Sequence, residues 1–219
     1  MERVLFVCTG NTCRSPMAEV IFENKKQNED FRAQSAGVHG MEGMPMSEGS
    51  RQVLARRGMM ESHQSQGVSP DLLEWSDLTL AMTNAHKQML IEQYPTYADQ
   101  IFTLKEYVLD DSNTLQKIEE LREHHVQMEL KRAQFVTANQ DKIERYNETN
   151  DMNNQNSKEE ELLEQLHPHQ VAIDRIEWDL PSFDIQDPFG GDDAQYEATY
   201  KEMEEAITKL LAKLEKGEG

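Results

Sequence analysis

Four consecutive apolar residues, Val4, Leu5, Phe6 and Val7, are followed by Cys8-Thr9-Gly10-Asn11-Thr12-Cys13-Arg14 and then by a Ser15-Pro16 helix start. This strand, loop and helix constrain the fold more than any other feature of the chain. A short continuous run of β-formers is the pattern of a strand buried on both faces, which needs a parallel sheet covered by helices on each side. Ser15 suits an N-cap, and Pro16 suits the first helical position, where its missing N–H costs nothing. The loop between them has to curl, and Gly10 and Asn11 are residues that tolerate the positive φ such a curl favours.

That curl has chemical consequences. Inward-facing backbone N–H groups beside a helix N-terminus form an anion site sized for phosphate, and Arg14 adds a planar fork for two phosphoryl oxygens. The same positive field stabilises a thiolate at Cys8, which the strand delivers to the mouth of the loop. The segment can therefore bind a phosphoryl group and attack it. A bare Cys-to-Arg spacing would read as a buried thiol and a surface cation; the strand, the Gly-Asn turn and the helix start argue against that here. The Gly-x-x-x-x-Gly-Lys pattern of a nucleotide-binding loop is absent from this segment.

The remaining chain alternates helices with strands. Phe31–Gly37 reads as a strand and turn, and Pro45 opens a helical stretch to Gly58. Ser69–Trp75 reads as a capped short helix, Leu78–Met82 as a strand, Asn84–Tyr94 as a helix and Ile101–Leu104 as a fourth strand. Asp193–Leu214 carries Tyr196, Tyr200, Met203, Ile207, Leu210, Leu211 and Leu214 at helical spacing, a stripe that reads as core. The expected fold is α/β, a three-layer domain with a four-stranded parallel sheet flanked by helices and its ligand site at the carboxyl ends of the strands.

Residues 109–183 are different in character. From Leu109 to Gln186 there are 18 Asp or Glu against 8 Lys or Arg, and only a thin helical stripe of Leu115, Ile118, Leu121, Met128 and Phe135. Asn150–Ser157 reads as a polar linker, with Ser157 and Glu160 as a capping box ahead of Leu162, Leu163 and Leu166. The expected arrangement is one domain formed by residues 1–108 and 184–219, interrupted by an acidic helical hairpin. Lengthening a loop costs entropy only slowly, so the insertion reads first as a tolerated solvated excursion, with substrate selection or gating of the site as the alternative.

The run from Val7 through Cys8, Asn11, Cys13, Arg14, Ser15 and Pro16 to Glu19 resembles the signature of the low-molecular-weight protein tyrosine phosphatase family. The resemblance covers residues 1–108 and 184–219. It implies that Cys8 is the nucleophile, that Arg14 grips the phosphoryl group, and that Asp187, in Asp187-Pro188-Phe189, is the general acid. It implies that Thr9, Gly10, Asn11, Thr12, Cys13, Ser15 and Phe189 surround the substrate, with Ser35 and His63 in a supporting hydrogen-bond network. It also implies that Cys13 can act as a resolving partner for an oxidised Cys8, while simple packing explains Cys13 equally well. No metal or organic cofactor is implied, and the remaining histidines, including His124, His125, His167 and His169, suggest no metal site.

Two departures bear on substrate. Where tyrosine-specific members commonly carry an aliphatic residue, this chain has Thr12, and where they continue Asp-Pro with two aromatics it has Phe189-Gly190. Both make the chain look like the protein-arginine-phosphatase branch of Gram-positive bacteria, with a tyrosine phosphatase as the alternative. Some arsenate reductases share this loop but use cysteines outside it; this chain has two, both inside. A non-catalytic phosphoprotein-binding module could lose Cys8 or Asp187, and both are present. A net charge of −19 argues against nucleic acid or an anionic membrane as partner and leaves phosphorylated proteins. The start carries no secretory leader pattern and no apolar run approaches a membrane span, so a cytoplasmic location is expected. The oligomeric state is not legible in the sequence.

Overall fold

The computed structural model describes residues 2–59, 62–149 and 152–217, with side chains described except in 141–149 and 152–159. The opening apolar run is strand β1, Arg3–Cys8, and it is followed by α1, Arg14–Lys25. Then come β2, Arg32–Gly37, α2, Glu48–Ala55, α3, Pro70–Trp75, β3, Leu78–Ala81, and α4, Asn84–Gln93. A 3-10 turn at Pro95–Gln100 leads into β4, Ile101–Thr103, and a four-residue helix α5, Leu104–Tyr107. Two long helices, α6, Ser112–Thr149, and α7, Met152–Asp179, precede the closing helix α8, Asp193–Glu215. The chain divides into two compact units, Met1–Leu109 with Phe183–Gly219, and Asp110–Ser182. Among the described residues no helix is long and apolar enough to cross a membrane.

In the first unit the strands pair in parallel in the order β2-β1-β3-β4. Side chains alternate across a strand, so β1 feeds both faces of the sheet. Val4, Phe6 and Cys8 join the core with α1, α2 and α8, whereas Leu5 and Val7 join the core with Leu73 of α3 and Leu90 of α4. The α8 stripe is buried throughout, with Tyr200, Met203, Ile207 and Leu210 fully enclosed. β1 lies between β2 and β3, so the carboxyl end of β1, where Cys8 sits opposite Gly37, opens at the switch point of the sheet.

Two helix starts differ from the sequence reading. α1 begins at Arg14, with Cys13 in the cap position and no side-chain cap. Ser15 cannot cap because its hydroxyl is engaged inside the loop, and Pro16 falls at the third helical position, where an N–H would also lack an intrahelical partner. α2 begins at Glu48 rather than Pro45, because the Ser47 hydroxyl accepts from the backbone N–H of Ser50.

The second unit is a pair of helices packed through Met128, Leu166 and Ile173, with Leu121 and Leu162 against them. Leu115 is exposed, contrary to the expected stripe: Leu121, Met128 and Phe135 recur every seven residues, and extending that seam backwards reaches buried Thr114, one position away. The linker expected over Asn150–Ser157 is helical from Met152 onward, since it holds no Gly or Pro to break a helix. Asn150, Asp151 and the Ser157 side chain lie outside what is described. Lys117 and Asp179 pair at 2.6 Å between the second turn of α6 and the end of α7. His124 and His169 meet across the two helices with Nδ1 atoms 3.0 Å apart. Among the described residues no group of three His, Cys, Asp or Glu could hold a metal ion.

Candidate active site

The loop from Cys8 to Arg14 is shaped by one left-handed residue and one close backbone approach. Asn11 has φ 55, and its side chain replaces several of the hydrogen bonds a regular element would supply. Its Nδ2 donates to Ser15 Oγ at 3.0 Å and to Ser35 Oγ at 2.8 Å, while its Oδ1 accepts from the backbone of Gln66 at 2.9 Å. Asn tolerates this conformation better than most residues. Gly10, in contrast to the sequence reading, is not in the positive-φ region. The glycine the loop requires is Gly37 at the end of β2: a Cβ there would lie 2.6 Å from the Thr9 carbonyl oxygen and 2.8 Å from the Asn11 nitrogen. Val38 and His39 then donate to the carbonyls of Cys8 and Thr9, which clamps the loop onto β2.

Cys8 is buried, with its sulfur 3.0 Å from Ser15 Oγ. Ser15 also lies within hydrogen-bond distance of the Ala36 carbonyl, at 3.1 Å. It has one proton for two claimants, so a thiol at Cys8 can donate to Ser15 while Ser15 donates to Ala36, and a thiolate takes the Ser15 proton instead. Behind this group Ser35 donates to Glu19 at 2.5 Å. His63 donates from Nε2 to the Asn11 carbonyl at 2.7 Å, which puts its proton on Nε2, and burial lowers its pKa against the opposing effect of that bond. The expected supporting pair, Ser35 and His63, is thus in direct contact with Asn11.

Arg14 is buried to 4 % exposure and crosses to the segment before α8. Its Nη2 pairs with Asp187 Oδ2 at 2.7 Å and lies 3.5 Å from Thr9 Oγ1; its Nη1 donates to the Ile185 carbonyl at 3.3 Å. Its Nε is buried with no hydrogen-bond partner among the described residues, a position costing about 1–3 kcal/mol unless an acceptor enters. Nε and Nη2 form the edge of the fork that grips oxyanions bidentately. The Asp187 side chain is half exposed, so it borders the opening. Arg14 thus joins the loop that carries Cys8 to Asp187, a residue far away in the chain.

The segment that carries Asp187 is anchored to the turn after β3. Ile185 donates its N–H to the Met82 carbonyl at 2.8 Å, and Asp184 accepts from the N–H of Asn84 at 2.7 Å. After Pro188 the chain turns, with Gly191 donating to the Pro188 carbonyl at 2.9 Å and Gly190 at φ 76. That is the turn position that demands positive φ, so Gly190 is there for the backbone. Phe189, ahead of it, is 75 % exposed.

The other loop positions are accounted for as follows. Thr12 is half-buried, with its hydroxyl 3.8 Å from Cys13 Sγ and its carbonyl accepting from Ser47. Cys13 is a buried free thiol 3.9 Å from the Tyr196 hydroxyl. Sequence reasoning missed His86, Gly37, Gln66 and Glu19. His86, 6 % exposed, bridges Thr83 Oγ1 and Thr9 Oγ1 at 2.8 Å each. Burial first, then the Arg14 charge, lower its pKa to about 4, against the opposing pull of Asp187 and Asp184. A histidine two residues into a helix that follows a strand end was the available signal.

A family model described as low molecular weight phosphotyrosine protein phosphatase matches residues 3–120. A protein-arginine-phosphatase of Geobacillus stearothermophilus is 44% identical over 106 residues, covering 48% of this chain and 71% of that protein. One from Bacillus subtilis is 41% identical over 107 residues, covering 48% and 71%. The low molecular weight protein-tyrosine-phosphatase PtpB of Staphylococcus epidermidis is 35% identical over 108 residues, covering 49% and 75%. The solved structure of YwlE arginine phosphatase from Geobacillus stearothermophilus matches with a TM-score of 0.65 at 29% identity, over 99% of this chain and 95% of that one.

Proposed function

Because the chain belongs to the low-molecular-weight phosphotyrosine protein phosphatase family and is a cysteine-dependent phosphatase, we propose that its substrates are proteins phosphorylated on arginine. The observation that carries this reading is Thr12 in the loop together with the Phe189-Gly190 turn. Gly190 at φ 76 is closed to an aromatic residue without strain, so the site keeps one aromatic wall instead of the two that would line a slot for a phenol ring. A hydroxyl at position 12 offers a polar contact to a phosphoguanidinium where a β-branched aliphatic residue would crowd it. The naming of the two arginine-phosphatase relatives supports the same side.

The reaction is a double displacement. The Cys8 thiolate attacks phosphorus, forming the S–P bond as the P–N bond breaks, and Asp187 gives its proton to the departing guanidine nitrogen. Arg14 exchanges its Asp187 partner for phosphoryl oxygens, with its buried Nε as the second tine, and the loop amides share the equatorial charge. Asp187, now a carboxylate, takes a proton from water as that water attacks the phosphocysteine. Cys8 leaves as a thiolate steadied by the Ser15 hydroxyl. Residues 109–183 are an insertion that this chemistry does not need.

The test is turnover of phosphoarginine and phosphotyrosine peptides by the same preparation. Preference for phosphoarginine, shifted towards phosphotyrosine by Thr12→Ile, is expected. A preference for phosphotyrosine that Thr12→Ile leaves unchanged would assign the chain to the tyrosine side. Turnover retained in Cys8→Ser would overturn the mechanism itself.

A further inference from the structure

The turn after β3 touches both halves of the site. Through backbone groups of Met82 and Asn84 it holds Ile185 and Asp184 of the acid segment. Through His86, one helical turn on, it reaches the nucleophile loop: Nδ1 faces Thr83 Oγ1 and Nε2 faces Thr9 Oγ1, both at 2.8 Å. Thr9 is exposed, and its hydroxyl lies 3.5 Å from Arg14 Nη2, the same nitrogen that pairs with Asp187 at 2.7 Å.

We propose that His86 is a positioning residue for phosphoryl binding: a buried imidazole, protonated on Nε2, that fixes the Thr9 hydroxyl as an acceptor and turns its proton into the loop. The proton count runs through the chain of groups. Thr83 accepts the backbone N–H of His86 at 3.2 Å as helix cap and gives its own proton to Nδ1. The Nε2–H then donates to Thr9 Oγ1, and Arg14 Nη2 approaches the second lone pair. Both acceptor positions of Thr9 being taken, its O–H is free to donate to a phosphoryl oxygen held by Arg14. A cationic imidazole here would set a second positive charge beside the Arg14 guanidinium; burial keeps the ring neutral. The inference rests on the phosphoryl-binding reading of the loop and is independent of the choice between arginine and tyrosine.

The test uses inorganic phosphate as a competitive inhibitor of the full-length protein, so no leaving group enters. His86→Ala and Thr9→Val should each weaken phosphate inhibition about ten-fold, the worth of one buried hydrogen bond. Because His86 acts through Thr9, the double variant should be no weaker than either single one, and His86→Gln, which keeps a side-chain N–H, should recover part of the loss. Nitrogen NMR of the His86 ring should show the proton on Nε2. Additive losses near a hundred-fold, unchanged inhibition, or a proton on Nδ1 would overturn the proposal. If His86→Ala does not fold, the cycle is run with His86→Gln, and Thr9→Val, on the exposed rim, keeps its own expectation. Failure of the phosphatase reading shows separately, as the absence of turnover of either phosphopeptide by the parent protein.

Discussion

Acidification should weaken the phosphatase unit through His86 in a defined window. The ring titrates from an ordinary value of 6.5 down to about 4 in the folded chain, first through burial, then through Arg14 and His39, with Asp187 and Asp184 opposing. The unfolded chain therefore binds a proton that the folded chain refuses between those two values. Stability is intact above about pH 6.5, falls as pH drops through the window, and stops falling from this source below about pH 4. The full depression corresponds to roughly 3 kcal/mol, of which about 2 kcal/mol is already lost at pH 5. The assay is urea unfolding at pH 7 and pH 5 of the parent and of His86→Gln. Both would carry Trp178→Phe, which removes the 92 % exposed indole of the second unit and leaves Trp75 of α3 as reporter. The other titrating groups cancel in the difference between the two proteins, which should shrink by about 2 kcal/mol on going to pH 5. A difference that does not change, or an NMR titration of His86 near its ordinary value, would refute the reasoning.

Gly37→Ala should cost about 1–3 kcal/mol in chemical denaturation and weaken phosphate inhibition, because the new methyl group meets the backbone of Thr9, Gly10 and Asn11. Asn11→Ala should be at least as damaging to turnover, since it removes three side-chain hydrogen bonds and a residue suited to φ 55; activity near that of the parent would contradict that role. Leu210→Ala should destabilise by about 2–5 kcal/mol with little change in phosphopeptide KM, measured on the folded fraction. Replacing residues 112–180 by a short flexible linker should leave phosphopeptide turnover unchanged, as every proposed catalytic group lies in the first unit; a large loss would give the insertion a part in the reaction.

Local pattern was enough for much of this protein. The apolar run of β1, the stripe of α8 and the cap at Ser69 depend on neighbours a few residues away, and those neighbours are visible in the chain. The candidate loop was legible for the same reason: Cys8, Asn11, Arg14 and Ser15 lie within eight positions of one another. Where the local rule failed, a longer-range partner had taken the group. Ser15 does not cap α1 because Cys8 and Asn11 hold its hydroxyl, and Leu115 is exposed while the neighbouring Thr114 is buried.

What the sequence by itself determined is the α/β alternation, the strand-loop-helix that carries Cys8 and Arg14 and, through its resemblance, the candidacy of Asp187. Tertiary structure alone decided that Arg14 pairs with Asp187, that Gly37 must be a glycine, and that His86 stands behind Thr9. Each of these depends on the order and register of the strands, which set side by side groups separated by tens of residues or more. Periodicity and capping report the local conformation of a segment; they carry no record of which distant segment will pack against it.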